Sequence, residues 1–281
     1  AGTGTVIFTG AAITIDGGDF YNLTFSNSSQ VATITNIISV SNILNIASVA
    51  TINGSAIEAK GNITFSDTSR NGTCNIIANG TGDQNISGAG DVDLFEINKP
   101  SGNLIFNSSV NINVGKWTHT SGTIIWNGNT VTCNGASATI ESGNFYNLTL
   151  NSSSLVLSLT NDIVVANTLA LTLMATFNGA KIEVGGDIVF ADTAFSGTGT
   201  IVANGSSDQN ISGVGDVNNF EINKPSGNLI MNSNVVINGG AWKHTAGNIV
   251  WNDNTVTCNG SPVTLNSGNF FNLIFNSSSM V

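Results

Sequence analysis

The chain has 281 residues, of which only 9% are charged, and its formal net charge is −10. Positive charge is scarce, since the chain has seven Lys and Arg residues in total, and this excludes nucleic acid as an expected partner. No run approaches the roughly 18 apolar residues of a membrane-spanning helix, so we expect no membrane insertion.

Short strand signals follow one another along the whole chain. Each is rich in β-branched or aromatic residues and is bounded by Gly, Asn, Ser or Asp. In chain order they include TVIF from Thr5, AITID from Ala12, VATIT from Val31, NITF from Asn62, NLIF from Asn103, TIIW from Thr123, TVTC from Thr130, DIVF from Asp187 and TIVA from Thr200. The segment from Ile38 to Ala50 comes nearest to a helical pattern, but it also alternates, and we predict a strand there. The chain is therefore predicted to be all-β.

A long internal repeat organises these strands. The stretch from Asn79 to Ser154 returns almost letter for letter from Asn204 to Ser279, a shift of 125 residues without a gap. The rest of the chain follows the same shift more loosely. This divides the chain into a partial unit over 1–78, a full unit over 79–203 and a partial unit over 204–281. Repetition of this kind predicts one continuous solenoid over residues 1–281.

A shorter repeat indicates the size of one coil. A motif of the type GDFYNLTF recurs from Gly18, Gly90, Gly143, Gly215 and Gly268. Its spacings alternate between 72 and 53 residues, which are close to four and three coils of about 18 residues. Ile34, Val40, Ile46 and Ile52 lie six apart, as expected for three inward faces per coil. We predict a parallel β-helix of about 15 coils, right-handed because parallel crossover connections almost always are.

Asparagine is abundant at the predicted corners of this β-helix. It tolerates the left-handed backbone of a sharp turn, and its amides can form hydrogen-bonded columns along a stack of coils. The abundance of asparagine at the corners therefore has a structural explanation that needs no binding function.

The three cysteines, Cys74, Cys133 and Cys258, are an odd number without CxxC spacing. Gly199 stands where the repeat would place a counterpart of Cys74, and Phe8 where it would place one of Cys133. A disulfide or metal framework could not absorb such replacements, so we predict small packed groups in the core.

Acidic residues are scattered singly and recur in the next unit, which argues against a catalytic pair of carboxylates. Asp91 and Asp93 form a DxD motif, for which hydrogen bonding at a corner is favoured over calcium binding. Glu96 and Lys99 are predicted to form a local ion pair. We expect no catalytic residue, metal or cofactor.

Trp117 and Trp242 recur at equivalent positions, each two residues before a histidine, His119 or His244. Two interpretations are open. The rings could form an exposed surface that binds sugars, or they could stack between coils in the core, which is favoured.

Fourteen N-x-S/T sequons are candidate glycosylation sites. They begin at Asn22, Asn27, Asn53, Asn62, Asn71, Asn79, Asn85, Asn107, Asn147, Asn151, Asn204, Asn210 and Asn276, and at Asn259, which is weakened by Pro262. Their number exceeds the chance expectation only slightly, because Asn, Ser and Thr are so frequent.

The motifs GDFYNLTFSNSS and GNFYNLTLNSSS, followed by VATITNIISVSN or VLSLTNDIVVANTL and then TINGSAIEAKGNITF, resemble the β-strand repeats of large secreted surface proteins of bacteria and archaea. These include β-helical adhesins of the filamentous haemagglutinin or autotransporter type. The resemblance implies an extracellular, cell-surface protein with a shaft or matrix role, and it carries no catalytic residue.

The chain has no signal-peptide pattern and begins and ends inside a repeat unit, so we expect a processed chain or a segment of a longer one. The leading hypothesis is a structural subunit of a surface filament, sheath or layer that associates head to tail and laterally. An adhesin stalk that binds glycans is the alternative, and a polysaccharide-active enzyme comes last.

Overall fold

The computed structural model describes residues 2–260 and 262–276, which form β-strands and turns and contain no helix. The chain divides into two compact units, Ala1–Thr132 (unit 1) and Cys133–Val281 (unit 2). Within each unit, every described strand pairing is parallel and joins one turn to the next, for example Ile57 to Ile76 in unit 1. The fold is therefore a β-solenoid, with about 14 turns of about 20 residues.

The first nine strands lie in unit 1, except that β9 crosses the boundary between the units and has only its first three residues there. They are β1 (Thr5–Phe8), β2 (Ala12–Gly54), β3 (Ile57–Ala59), β4 (Asn62–Phe65), β5 (Ile76–Ala78), β6 (Gln84–Ser87), β7 (Phe95–Phe106), β8 (Val110–Ile125) and β9 (Thr130–Ile140).

The remaining strands belong to unit 2. They are β10 (Asn144–Asn151), β11 (Val156–Leu159), β12 (Ile163–Leu173), β13 (Thr176–Gly179), β14 (Lys181–Val184), β15 (Asp187–Phe190), β16 (Thr200–Ala203), β17 (Gln209–Ser212), β18 (Asp216–Val217), β19 (Asn219–Met231), β20 (Val235–Ile237), β21 (Gly240–Val250), β22 (Thr255–Cys258), β23 (Val263–Leu265) and β24 (Asn272–Phe275).

The turns are longer, and less uniform, than the motif spacing predicted. Ile57 pairs with Ile76, whereas Ile63 pairs with Ile86, so the chain takes more residues to return to one face than to another. The corners hold different numbers of residues, and a uniform coil length could therefore not be read from the spacing. With about 20 residues per turn, the 125-residue repeat corresponds to about six turns and not seven.

Alternation along each strand builds the core. In β4, Ile63 and Phe65 are buried, whereas Asn62 is exposed. The apolar residues predicted to face inward at intervals of six, Ile34, Val40, Ile46 and Ile52, are all buried, which confirms that part of the prediction. Burial of such side chains, each stabilising by roughly 1.5–3 kcal/mol, supplies the main driving force for stacking one turn on the next.

Glycine is required where one corner passes closely over the corner below. Gly54 has a φ of +98°, and a Cβ there would collide with the carbonyl oxygen of Ile34. Gly179, the equivalent residue of unit 2, has a φ of +95° and would meet Leu159 O in the same way. Any other residue at these positions would force the two turns apart.

A column of asparagine amides follows the turns of unit 1, as predicted. The side chain of Asn127 donates to Asn107 Oδ1 (3.3 Å), and that of Asn107 donates to Asn85 Oδ1 (2.9 Å). Asn62 Oδ1 in turn accepts from Asn85 Nδ2 (3.2 Å). Each bond satisfies polar groups while linking successive turns, so the column stabilises the stack.

Unit 2 has the same column with one difference. The side chain of Asn252 donates to Asn232 Oδ1 (3.3 Å), and Asn232 donates to Asn210 Oδ1 (2.9 Å). At its base, Asn210 donates to Asp187, which stands where unit 1 has Asn62. A carboxylate oxygen therefore replaces an amide oxygen as the acceptor.

Candidate functional site

Trp117 and Trp242, considered above as possible sugar-binding surfaces, are both completely buried with 0% exposure. The ring of Trp117 lies 5.4 Å from that of Phe95, and the ring of Trp242 lies 5.3 Å from that of Phe220. These aromatic stacks join neighbouring turns inside each unit. The surface-binding interpretation of the two tryptophans is therefore wrong, because the rings are not accessible to a ligand.

A group of charged side chains is enclosed in unit 1. Arg70 is only 1% exposed; its Nη2 donates to Val92 O (2.7 Å) and lies 3.9 Å from Asp93 Oδ2. Asp91 and Asp67 are also buried there, and both charges act on Arg70. We call Asp67, Arg70, Asp91 and Asp93 the buried charge cluster.

Burial shifts the protonation of this cluster. It raises the pKa of Asp91 to about 6, with a further contribution from the negative charge of Asp93. The pKa of Asp93 is also raised by burial, although the guanidinium of Arg70 opposes the shift. Burial lowers the pKa of Arg70. The cluster is closed to solvent, so no substrate could reach its carboxylates in this arrangement.

The DxD motif forms hydrogen bonds at a corner of the solenoid and does not present its carboxylates as ligands for a metal ion. Asp93 adopts a φ of +41°, and its Oδ1 accepts from Val114 N (3.4 Å). The cation beside it is Arg70. Within residues 2–260 and 262–276, no three His, Cys, Asp or Glu side chains group so that they could hold a metal ion.

The predicted ion pair between Glu96 and Lys99 is wrong. Lys99 is 2% exposed, and its Nζ donates to Gly80 O (2.8 Å), Gly82 O (2.8 Å) and Gln84 Oε1 (2.9 Å). Positions three apart in a strand point to opposite faces, so Glu96 cannot share the side of Lys99. The three acceptors match the three donors of an ammonium group, and Lys99 thus stabilises the corner that contains Gly80 and Gly82.

Unit 2 repeats this lysine corner. Lys224 Nζ donates to Gly205 O (2.7 Å), Ser207 O (2.9 Å) and Gln209 Oε1 (3.3 Å). Burial lowers the pKa of Lys224, as it does that of Lys99. These lysines satisfy backbone groups and do not face a ligand.

All three cysteines are free and buried, in agreement with the prediction that they are small core groups. Burial raises the pKa of the Cys74 thiol to about 11 and that of Cys133 to about 12, and it also raises that of Cys258. Because the thiolate is the reactive form, these residues are poor nucleophiles and metal ligands.

The candidate glycosylation sites differ in what their amides do. Asn62, Asn85, Asn107 and Asn210 belong to the columns that link successive turns. Asn151, by contrast, is exposed, and its side chain makes no hydrogen bond with the described part of the chain. Asn151 is therefore a candidate position for a glycan whose attachment would break no hydrogen bond of the described residues.

A charged groove lies on unit 2. Glu221 Oε1 accepts from Lys243 Nζ (2.8 Å) and from Thr245 Oγ1 (2.9 Å), and Lys181 Nζ lies 3.5 Å from Glu221 Oε2. The hydrogen bond from Lys243 is the main reason that the pKa of Glu221 is lowered. Asn266 closes the groove from the following turn. Repetition alone did not reveal it, because unit 1 has Thr118 where Lys243 stands.

A second, uncharged cleft of about 280 Å³ lies on unit 2. It is lined by His244, Gly247, Asn248, Ile249, Trp251 and Asn269. The sequence pointed to His244 but paired it with Trp242, whereas the tryptophan that lines the cleft is Trp251. The second tryptophan of the segment WKHTAGNIVW would have been the signal.

The fold and these sites define a β-solenoid whose polar side chains mainly join one turn to the next. Comparison with protein-family models, with curated proteins and with solved structures finds no match to the chain. No helix in the described residues is long and apolar enough to cross a membrane. The structure thus supports the solenoid part of the resemblance described above, and its surface-protein part stays a prediction.

Proposed function

We propose that the chain is a structural protein of an extracellular cell surface, a β-solenoid subunit of a filament, sheath or surface layer that associates head to tail and laterally. The observation that carries this proposal is the use of polar side chains in both units. Successive turns are connected by the amide columns, which contain Asn107 and Asn232. They are also connected by the lysine corners, at Lys99 and Lys224. Such repeated bonding favours a rigid scaffold.

Exposed apolar strands support association of copies. Among the described residues, β1 pairs with β2 alone, and its Ile7 is 57% exposed. In β24, Ile274 is 50% exposed and Phe275 is 60% exposed. A strand with an open edge and apolar side chains is a template for pairing with another strand. We propose that a second copy of the chain supplies that strand.

Lateral association has separate candidate positions, one on each unit. Val214 is 74% exposed and Ile37 is 59% exposed, and a surface with few charges opposes close contact of copies only weakly. Asn151 is the candidate position for a glycan, which would restrict lateral packing on its side. The extracellular location rests on the family resemblance of the repeats.

The proposal assigns no enzymatic activity to the chain. Its carboxylates at Asp67, Asp91 and Asp93 are enclosed with Arg70, and the thiols are buried. Turnover of neutral or acidic polysaccharides by the purified chain would contradict this part of the proposal.

The assembly can be tested directly by light scattering over a range of protein concentrations and by negative-stain microscopy. We expect particles that grow with concentration, and we expect Ile7→Lys and Phe275→Lys to reduce their length by placing a charge on the pairing strands. Val250→Lys, a charge on an exposed residue of β21, is the matched control. Monodisperse monomers at every concentration would contradict self-association.

Binding of glycans or other surfaces is the second candidate function. The observation that favours it is the uncharged cleft of unit 2, in which an aromatic ring, an imidazole and amides converge.

A further inference from the structure

The uncharged cleft of unit 2 lies where β21 and the turn that follows it stack on each other. His244, Gly247 and Asn248 belong to β21, and Asn269 belongs to the next turn, between β23 and β24. His244 N donates to Ser267 Oγ (3.1 Å), and Ser267 Oγ donates to His244 O (2.6 Å), which ties the two corners together. The opening beside this tie is thus a fixed feature of how the two turns stack.

Trp251 gives the cleft a flat apolar wall. Its ring stacks on that of Trp242 at 6.2 Å with an interplanar angle of 23°, and it lies 5.8 Å from Phe270. Trp242 is completely buried, so the ring of Trp251 is held from behind, while Trp251 itself remains partly exposed. A fixed, partly exposed indole is suited to stack against the C–H face of a sugar ring.

His244 offers a hydrogen-bond acceptor of defined position. Its Nε2 lies 2.9 Å from Gly247 O. Because a carbonyl oxygen can only accept, Nε2 must carry the proton, and the Nδ1 of the neutral imidazole is then an acceptor. That nitrogen can receive a hydroxyl proton.

Two amides add donors and acceptors. Asn248 uses Nδ2 to donate to Asn228 Oδ1 (2.7 Å), which fixes the amide and leaves its carbonyl oxygen to accept a further bond. The amide of Asn269 has no hydrogen-bond partner among residues 2–260 and 262–276. It can donate and accept at once, as a pair of neighbouring hydroxyl groups requires.

We propose that this cleft is a binding site for one neutral pyranose ring, held by the indole of Trp251 and by hydroxyl contacts to His244, Asn248 and Asn269. Among the described residues, no Lys, Arg, Asp or Glu lines it, which favours an uncharged ligand. Its volume of about 280 Å³ lies just below the range of typical small-molecule pockets, roughly 300–1,000 Å³, so it fits one ring and not an extended chain. The site rests on the second candidate function, glycan binding, and does not depend on the structural role proposed above.

Saturation-transfer NMR and calorimetry on the full chain, with glucose, galactose, mannose and N-acetylglucosamine as probes, test the proposal. We expect at least one of them to bind with a dissociation constant on the order of 1 mM. Asn269→Ala and His244→Ala should each weaken binding by about tenfold, and Trp251→Ala should abolish it. Because the Asn269 side chain is exposed and makes no bond within the described residues, Asn269→Ala keeps the test valid even if Trp251→Ala unfolds.

Lys243→Ala, in the neighbouring charged groove, is the matched control and should bind like the wild type. Three results would overturn the site: no binding of any neutral sugar at concentrations far above the expected dissociation constant, binding that all three cleft variants leave unchanged, or binding of sulfate and glucuronate only. None of them bears on assembly, which light scattering measures separately.

Discussion

The same corner of the repeat contains a buried ion pair in unit 1, which two uncharged residues replace in unit 2. Arg70 and Asp93 of the buried charge cluster become Phe195 and Asn218 after the shift of 125 residues. Phe195 is 3% exposed, and in its better-satisfied orientation the amide of Asn218 accepts from the Gly197 N–H (2.9 Å). A buried ion pair and an apolar ring with an amide therefore serve the same place in the fold.

The acids that both units keep explain what the corner needs. Asp67 accepts hydrogen bonds from the backbone of Val49 and Ser69, and Asp192 accepts them from the backbone of Met174 and Ala194. These carboxylates satisfy N–H groups that would otherwise be buried without partners. The Arg70–Asp93 pair has no such shared role, so it is replaceable provided that both members change together.

Removal of one member should have the largest effect. Arg70→Ala leaves Asp93 buried without its cation and Val92 O without its donor, and we expect unfolding to become easier by about 3–5 kcal/mol. Chemical denaturation followed by circular dichroism measures this. Phe195→Ala in unit 2 is the comparison, with an expected loss of about 3–5 kcal/mol from cavity formation alone.

The two substitutions differ in how they can be rescued. Arg70→Phe combined with Asp93→Asn copies the pair of unit 2 into unit 1, and we expect a free energy of unfolding equal to that of the wild type or higher by about 1–4 kcal/mol. A double variant as unstable as Arg70→Ala would show that the ion pair is needed by its surroundings, and the equivalence of the two corners would then fail.

A second exchange involves volume instead of charge. Ile52 and Cys74 of unit 1 correspond to Phe177 and Gly199 of unit 2, and a Cβ at Gly199 would collide with the ring of Phe177. We therefore expect Gly199→Cys to destabilise the protein by about 1–3 kcal/mol through overpacking. Thermal unfolding provides the measurement.

The matched variant is Phe177→Ile combined with Gly199→Cys, which restores the unit 1 pair. It should recover most of the lost stability, so that the two changes are strongly non-additive. Additive effects would mean that the two side chains do not share one space.

The pH dependence of stability should sharpen the comparison further. Burial raises the pKa of both Asp91 and Asp216 to about 6, assisted by Asp93 in unit 1 and by Asp192 in unit 2. The folded state then binds more protons than the unfolded state between about pH 4 and pH 6, so stability falls as pH rises through this range and stays lower above it.

Asp91→Asn and Asp216→Asn should each remove this loss and increase stability above about pH 6.5 by on the order of 1 kcal/mol, allowing for partial solvation. The pKa of Asp93 is raised by burial as well, so in unit 1 more than one carboxyl group should contribute to the loss of stability as the pH rises. Unfolding measured from about pH 4 to pH 8 tests it, and parallel curves for wild type and variants would contradict the shifts.

The sequence predicted the parallel solenoid because of its 125-residue repeat, its motif spacing and the apolar residues six apart, such as Ile46 and Ile52, which are buried. The sequence also carried information on Trp117 that was not used. Its neighbours Lys116 and Thr118 are polar, and side chains alternate between the two faces of a strand, so Trp117 is expected to point into the core. Arg70 could not be placed, because its burial depends on Asp93, which lies in the next turn and is distant along the chain. The cleft at Trp251 was missed because its residues come from two successive turns, and no strand pattern records which residues meet when turns stack.

The smallest effect is expected where the units differ only at the surface. Glu221 is held by Lys243 at 2.8 Å, whereas in unit 1 the corresponding Glu96 accepts from Asn75 Nδ2 at 3.1 Å. Lys243→Thr, which copies Thr118, should lower stability by less than about 1 kcal/mol, since Lys243 is about half exposed. The pKa of Glu221 is lowered chiefly by Lys243, so this contribution is present at neutral pH and is lost as the pH falls through the range where Glu221 protonates. It should also shrink in roughly 1 M salt, and a loss that is independent of both salt and pH would show that Lys243 acts through packing of its alkyl chain instead of its charge.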